Sequence, residues 1–384
     1  MDIQPFTIHV SDEILEDLRD RLLRTRWPSE IPDSGWDYGS NLAYVKELSE
    51  YWRTEFDWRA QEAALNRFAH FRTTIDGMGI HFIHERGKGP NPMPLIITHG
   101  WPSTFFEISK VIPPLTDPAS HGGDPADAFD VVVPSMPGYG FSDPTIRRGI
   151  NLARIADMWS QLMTRGLGYS RFGAQGGDWG AGVTARLGFS YASQVLGIHT
   201  TSVSGAPNTW MPGMRELSVA ERTLVEARAH WFQEEGGYFH IQGTKPQTLS
   251  YGLNDSPTGL AAWIVEKWRT WSDCGGDVER RFSKDELLTT IMIYWATQTI
   301  NSSTRLYYEN LHNTWVLQPG QRIDVPCGVA RFPHDNSYPP REWAERFYNL
   351  QRWTEMPRGG HFAAFEEPEL LVNDVRAFFR PLRG

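Results

Sequence analysis

The chain has 384 residues, about twice the usual length of one domain, and its 40 % hydrophobic and 22 % charged residues exclude a disordered chain or a coiled coil. The formal net charge of −9 argues against a nucleic-acid partner, because a polyanion would be repelled. Aromatic residues make up 13 % of the chain, which favours a pocket lined by rings.

The two cysteines also limit the possible functions. Cys274 and Cys327 are too few for a disulfide framework or a zinc site, and the apolar run around Cys327 predicts a buried, reduced thiol in a cytoplasmic protein. The N-terminus lacks the pattern of a signal peptide, and threonines interrupt the apolar run 287–300, so we expect no membrane anchor. His81 and His84 would point to opposite faces of a strand and therefore make a poor pair of metal ligands. We expect neither a metal nor an organic cofactor.

Residues 1–70 predict an extension built of helices. The first predicted helix covers 11–28, with Ser11 as its N-cap and Pro28 as its stop. Its apolar stripe consists of Ile14, Leu15, Leu18 and Leu22. Two more helical stretches follow before residue 70.

From residue 71 onward, strands alternate with helices, which predicts a mostly parallel sheet in an α/β core. In 71–205 the predicted strands are 71–75, 80–84, 94–98, 129–134, 172–175 and 195–199, with a helix over 152–167. The helical patterns of 206–320 predict an inserted lid. The core resumes in 321–384, with strands 323–332 and 351–356 and helices 341–348 and 368–379.

A glycine-rich turn follows the predicted strand 172–175. In Gly176-Gly177-Asp178-Trp179-Gly180, small residues stand two places on either side of Asp178, as a strained strand-to-helix elbow requires. Taken alone, Asp178 is more simply interpreted as the N-cap of the next helix. Its other interpretation is an exposed nucleophile.

Two further segments occur in the chain order of a hydrolase site. Thr98-His99-Gly100-Trp101-Pro102 follows a buried strand, where the backbone N–H of Trp101, with that of Trp179, could form an oxyanion hole. Both tryptophan rings could equally be core packing. Gly359-Gly360-His361 comes after the last strand and predicts a catalytic base, with Asp335 accepting its Nδ1–H. The neighbouring Glu366-Glu367 pair predicts a solvated surface.

A carboxylate nucleophile decides the chemistry, because attack by Asp178 on an sp³ carbon leaves an ester that water can hydrolyse. The substrates indicated are epoxides or alkyl halides. An epoxide oxygen needs a proton donor, whereas a halide needs only weak N–H donors such as indoles. The lid offers Tyr238, and Tyr307 beside Tyr308, although any one tyrosine could be purely structural.

Taken together, these segments resemble the α/β-hydrolase-fold epoxide hydrolases of the microsomal and juvenile-hormone type, which carry an extra N-terminal domain. The motifs are Arg24-Thr25-Arg26-Trp27-Pro28, His99-Gly100-Trp101-Pro102, Gly176-Gly177-Asp178-Trp179-Gly180, Gly237-Tyr238, Leu253-Asn254-Asp255-Ser256-Pro257 and Arg358-Gly359-Gly360-His361-Phe362. The resemblance covers nearly the whole chain.

The resemblance implies roles for single residues. Asp178 would be the nucleophile, His361 the base, Asp335 its acid, and Tyr238 and Tyr307 the pair that activates the epoxide oxygen, with Tyr308 a competitor for the second place. It also implies an N-terminal domain that wraps core and lid, a soluble bacterial or fungal relative, a small hydrophobic epoxide as substrate and a homodimer. The alternatives are a haloalkane dehalogenase and a catalytically silent ligand-binding relative, although the latter would be expected to lack one of the three triad residues.

Overall fold

A nine-stranded sheet runs through the part of the chain that the computed structural model describes, residues 1–205, 211–336 and 338–383. The strands are β1 (Ile3–Pro5), β2 (His70–Ile75), β3 (Met78–Glu85), β4 (Met93–Thr98), β5 (Phe129–Pro134), β6 (Phe172–Gly176), β7 (Val195–Thr200), β8 (Ile323–Arg331) and β9 (Tyr348–Glu355). Their spatial order is β1-β2-β3-β5-β4-β6-β7-β8-β9. All neighbours from β5 to β9 are parallel and the first three strands pair antiparallel, which confirms the mostly parallel sheet.

Fifteen α-helices accompany the sheet in the described residues. They are α1 (Asp12–Leu23), α2 (Leu42–Thr54), α3 (Trp58–Leu65), α4 (Ile112–Thr116), α5 (Leu152–Gln161), α6 (Asp178–Ser190), α7 (Val219–Glu234), α8 (Gly237–Thr244), α9 (Pro246–Leu253), α10 (Pro257–Trp271), α11 (Lys284–Thr297), α12 (Ile300–His312), α13 (Arg341–Glu345), α14 (Ala363–Glu366) and α15 (Pro368–Phe379). Helices α6 and α15 both pack against β7 and β8. Because the central strands are covered by helices, they are mostly apolar rather than alternating; all six residues of β5, Asp130 among them, are buried.

The N-terminal region differs from the prediction in two respects. It is not all helical, because Ile3–Pro5 pairs with β2 at the edge of the sheet. The sequence pattern did not predict this strand, because three residues are too few to show the alternation of a strand. Pro5 is tolerated in it because the strand lies at the edge of the sheet. Ser11 does cap α1, accepting the N–H of Ile14, but the helix ends at Leu23 rather than at residue 28.

The predicted lid region contains six helices, α7 to α12, between β7 and β8. Its expected first residues, 206–210, lie outside the described residues. The N-terminal helices contact this region, with α1 and α2 both touching α10. Ser40 donates to the carbonyl of Ala262 at 2.6 Å, and Tyr51 donates to Asp285 at 3.0 Å. The N-terminal residues therefore touch both the sheet and the lid helices.

The last part of the chain shows how long-range pairing moves element boundaries. The helix predicted over 341–348 ends at Glu345, because Tyr348 already pairs with Ile323 of β8. Strand β9 therefore begins three residues before its predicted start, while α15 covers the residues predicted for it. Cys327 lies buried in β8 as a free thiol, as predicted.

Among the described residues, no helix combines the length and the apolar character needed to cross a membrane. No group of three or more metal-ligating side chains occurs in the same residues.

Candidate active site

Asp178 stands at the turn from β6 into α6, in a backbone conformation that side chains rarely adopt. Its φ is +47°, whereas the N-cap position of α6 belongs to Gly177. The simpler interpretation of Asp178 as an N-cap is therefore wrong. A non-glycine residue at positive φ is strained and persists only where its surroundings hold it there, which is typical of functional sites.

The glycines of this turn are required by close packing. A Cβ on Gly180 would lie 1.9 Å from the carbonyl oxygen of Thr98, and a Cβ on Gly176 would lie 2.3 Å from that of Gly180. No side chain fits at either position, so the end of β4 and the start of α6 can approach each other. This approach brings the loop after β4 to Asp178.

That loop supplies the first partner of the Asp178 carboxylate. The backbone N–H of Trp101 donates to Asp178 Oδ1 at 2.9 Å; in the described residues no such bond comes from Trp179, at the second position of α6. His99 supports the loop, because its Nε2 accepts the N–H of Met136 at 3.2 Å. Burial lowers the pKa of His99 to about 4, so its ring is neutral and remains an acceptor. Sequence reasoning had given His99 no role.

His361 reaches the same carboxylate from the loop between β9 and α14. Its Nε2 lies 3.4 Å from Asp178 Oδ2, and its Nδ1 lies 2.6 Å from Asp335 Oδ1. Asp335 also accepts from the Ser202 hydroxyl at 3.2 Å. The structure thus brings the three predicted side chains into one chain of contacts, Asp335 to His361 to Asp178.

The charge state of His361 follows from opposing effects. Burial acts to lower its pKa, but the carboxylates of Asp335 and Asp178 outweigh burial and raise the pKa well above its usual value. The imidazolium is therefore favoured as long as both carboxylates are ionised.

Contacts to the lid and to Glu366 hold the His361 loop in place. The His361 N–H donates to the carbonyl of Trp271, at the end of α10, at 2.8 Å. Glu366 accepts the N–H groups of Gly360 at 3.0 Å and Phe362 at 2.9 Å. The prediction of a solvated Glu366-Glu367 surface is wrong: the two residues are only 8 % and 6 % exposed. Backbone N–H groups compensate the burial of Glu366, which no sequence pattern indicates, whereas the guanidinium groups of Arg281 and Arg358 compensate that of Glu367.

Two lid tyrosines lie over the site. Tyr238 of α8 stacks on the Trp101 ring with centroids 5.5 Å apart, and Tyr307 of α12 packs edge-on against the Trp179 ring at 4.7 Å. The two phenol rings are 5.9 Å apart. The tryptophan rings therefore pack between the elbow region and the lid. Tyr308 lies elsewhere, 38 % exposed and stacked on His312.

Burial sets the protonation of both phenols. It raises the pKa of Tyr238 well above the usual value, and the charge of Asp178 adds to this effect. Burial likewise raises the pKa of Tyr307, followed by the effects of Tyr238 and Asp178. Both hydroxyls are therefore protonated at neutral pH and are able to donate hydrogen bonds.

Known protein families match most of the chain. Residues 3–108 match the family described as epoxide hydrolase N terminus, and residues 93–299 match the alpha/beta hydrolase fold. A protein of Stigmatella aurantiaca is 47 % identical over 100 % of this chain and 86 % of its own length. Epoxide hydrolase 1 of Sus scrofa is 42 % identical over 98 % of this chain and 88 % of its own length.

Two solved structures share the fold of this chain over its whole length. The juvenile hormone epoxide hydrolase of the silkworm Bombyx mori superposes with a TM-score of 0.88 at 31 % identity, covering 100 % of this chain and 95 % of that one. The epoxide hydrolase of Aspergillus niger gives a TM-score of 0.86 at 29 % identity, covering 100 % and 97 %. The chain therefore belongs to the epoxide hydrolases of the α/β-hydrolase fold.

Proposed function

We propose that this hydrolase converts an epoxide into a vicinal diol through a covalent ester on Asp178. The observation that carries the proposal is the position of the Asp178 carboxylate, with one oxygen held by the Trp101 amide at 2.9 Å and the other facing His361 at 3.4 Å. Such a carboxylate can attack an sp³ carbon, and the resulting ester lies beside a general base. Asp335 positions that base.

In the first step, a carboxylate oxygen of Asp178 attacks an epoxide carbon and the carbon–oxygen bond of the ring breaks. The ring oxygen becomes an alkoxide and takes a proton from Tyr238 or Tyr307. This transfer is favourable because an alkoxide is far more basic than a phenolate. The products of the step are the ester and one phenolate.

In the second step, His361 removes a proton from water, whose oxygen attacks the ester carbonyl carbon of Asp178. Esterification prepares His361 for this role: it removes the Asp178 charge that helps to raise the His361 pKa, while burial continues to lower it. The proton that His361 releases can restore the phenol. The backbone N–H groups of Trp101 and Trp179 stabilise the oxyanion. Collapse releases the diol with an oxygen that came from Asp178; this oxygen takes the second proton of the water, and Asp178 returns to the carboxylate.

The source of the new diol oxygen, Asp178 or water, can be measured with an isotope label. In a single turnover in ¹⁸O-water with excess enzyme, the first diol should carry no label and the label should appear in the Asp178 peptide. His361→Gln should be alkylated and then fail to release diol, giving a stable mass adduct on that peptide. His121→Gln, a substitution of an exposed histidine, is the matched control and should turn over normally.

Direct attack of water would place the label in the first diol and would overturn the proposal. Normal diol release by His361→Gln would remove the base from the mechanism. These two outcomes are independent, because one reports on the nucleophile and the other on the hydrolysis of its ester.

The substrate class follows from the side chains around Asp178. The rings of Trp101, Trp179, Tyr238 and Tyr307 favour a small hydrophobic epoxide. A haloalkane dehalogenase would share the nucleophile but has no use for two phenols as acids. Diol formation from styrene oxide, measured beside halide release from a bromoalkane, distinguishes the two; faster halide release would favour the dehalogenase.

A further inference from the structure

A small cavity adjoins Asp178 and His361 and has no part in the mechanism so far. Its volume of about 20 Å³ is enough for one water molecule. The polar residues among those that line it include Glu107, Gln175 and Thr201, together with Asp178 and His361. A single water in this cavity would therefore lie beside both the ester and its general base.

The strongest sign of a missing partner is Gln175, the fourth residue of β6 and three residues before Asp178. Its side chain is only 4 % exposed and lines the cavity, yet its amide forms no hydrogen bond with any residue that the structure describes. An amide on the wall of a cavity this small can be satisfied by a water molecule inside it. Thr201, 8 % exposed, lines the same cavity and its hydroxyl likewise has no partner in the described residues.

Glu107 contributes a carboxyl group from the short 3₁₀ helix Phe105–Lys110. One of its oxygens accepts a hydrogen bond from the Ser103 hydroxyl; the other has no donor among the described side chains and amides. Burial raises the pKa of Glu107 to about 7, and the nearby charges of His361 and Asp178 also act on it. The second oxygen is thus available to a molecule in the cavity.

We propose that the cavity holds the water that hydrolyses the Asp178 ester, with Glu107 and Gln175 as the residues that position it. The inference rests on the proposed two-step function. One hydrogen of the water goes to Nε2 of His361 and the other is donated to Glu107, while the Gln175 amide donates to one lone pair. The remaining lone pair forms the new bond to Cγ of Asp178. As the bond from Cγ to the diol oxygen breaks, that oxygen takes the second proton of the water, and Asp178 returns to the carboxylate.

The test separates the two steps in Glu107→Gln and Gln175→Met, both of nearly unchanged volume. Single-turnover quenched-flow with styrene oxide, followed by mass analysis of the Asp178 peptide, gives the rate of alkylation and the rate of ester hydrolysis. We expect hydrolysis to slow by about ten- to a hundredfold and alkylation to change less than about twofold. Ester should therefore accumulate.

Thr184→Val is the matched control, because it removes a buried hydroxyl that has no partner among the described residues and lies outside the cavity wall. It should leave both steps unchanged. Circular dichroism establishes that each variant is folded, and either cavity variant suffices if the other does not fold.

Two results would overturn the inference: hydrolysis at the normal rate in a folded variant, or an equal slowing of both steps, which would indicate a structural role. Neither would touch the proposed function, because the ¹⁸O experiment on the unmodified enzyme tests the ester itself. Absence of an ester there would remove the basis of both.

Discussion

Gly100 allows a direct test of how closely the loop after β4 must approach Asp178. A Cβ at this position would lie 2.3 Å from both Cβ and Oδ1 of Asp178. Carbon atoms in contact lie about 3.5 Å apart, so Gly100→Ala must separate the two residues by about 1.2 Å. The same shift moves the following Trp101 amide, which now donates to Asp178 at 2.9 Å.

The expected effect of Gly100→Ala is large and falls on alkylation. A misplacement of about 1 Å in a reacting group can cost about 10² in rate, so we expect the single-turnover rate of ester formation to fall by about that factor. Overpacking should also lower the free energy of unfolding by about 1–3 kcal/mol, which urea denaturation measures.

Gly252→Ala is the control for Gly100→Ala. Gly252 lies in α9, and nothing would lie within 4 Å of a Cβ there. This substitution should leave alkylation unchanged and raise the free energy of unfolding by up to about 1 kcal/mol, because alanine is the better helix former. Alkylation at the normal rate by a folded Gly100→Ala would refute the argument that a close approach of this loop holds the nucleophile in position.

The remaining predictions concern the lid and the sheet. Tyr307→Phe should slow alkylation by about 10² to 10⁴, while the exposed neighbour variant Tyr308→Phe should alkylate at the normal rate; the reverse result would make Tyr308 the donor. Asp374 is buried, which by itself would raise its pKa, but the hydrogen bonds from His199, Arg352 and Thr354 and the charge of His199 together outweigh burial and lower the pKa from 3.8 to about 2. Its ionised form therefore contributes about 2 kcal/mol, present above pH 4 and lost as the pH falls toward 2. Urea denaturation between pH 5 and pH 3 should show a smaller loss of stability in Asp374→Asn, and parallel curves would contradict this.

Local patterns in the sequence predicted most of the fold. The central strands stand within two residues of their predicted bounds, since a strand covered on both faces is a nearly continuous apolar run. The elbow at Asp178 was equally visible, because only glycine fits at Gly176 and Gly180 once a strand turns sharply into a helix. The order of Asp178, Asp335 and His361 along the chain was enough to predict that the fold would bring them together.

Tertiary structure decided what depends on partners far away in the chain. Tyr307 and Tyr308 are adjacent in sequence, and only the packing of α12 over the elbow determines which is buried. Glu366 is polar by sequence but buried, because backbone N–H groups of the His361 loop reach it. No sequence pattern pointed to Gln175, because its lack of a hydrogen-bond partner depends on the residues that surround the cavity. Burial of a polar group is a property of its neighbours, and a linear pattern records only the residue itself.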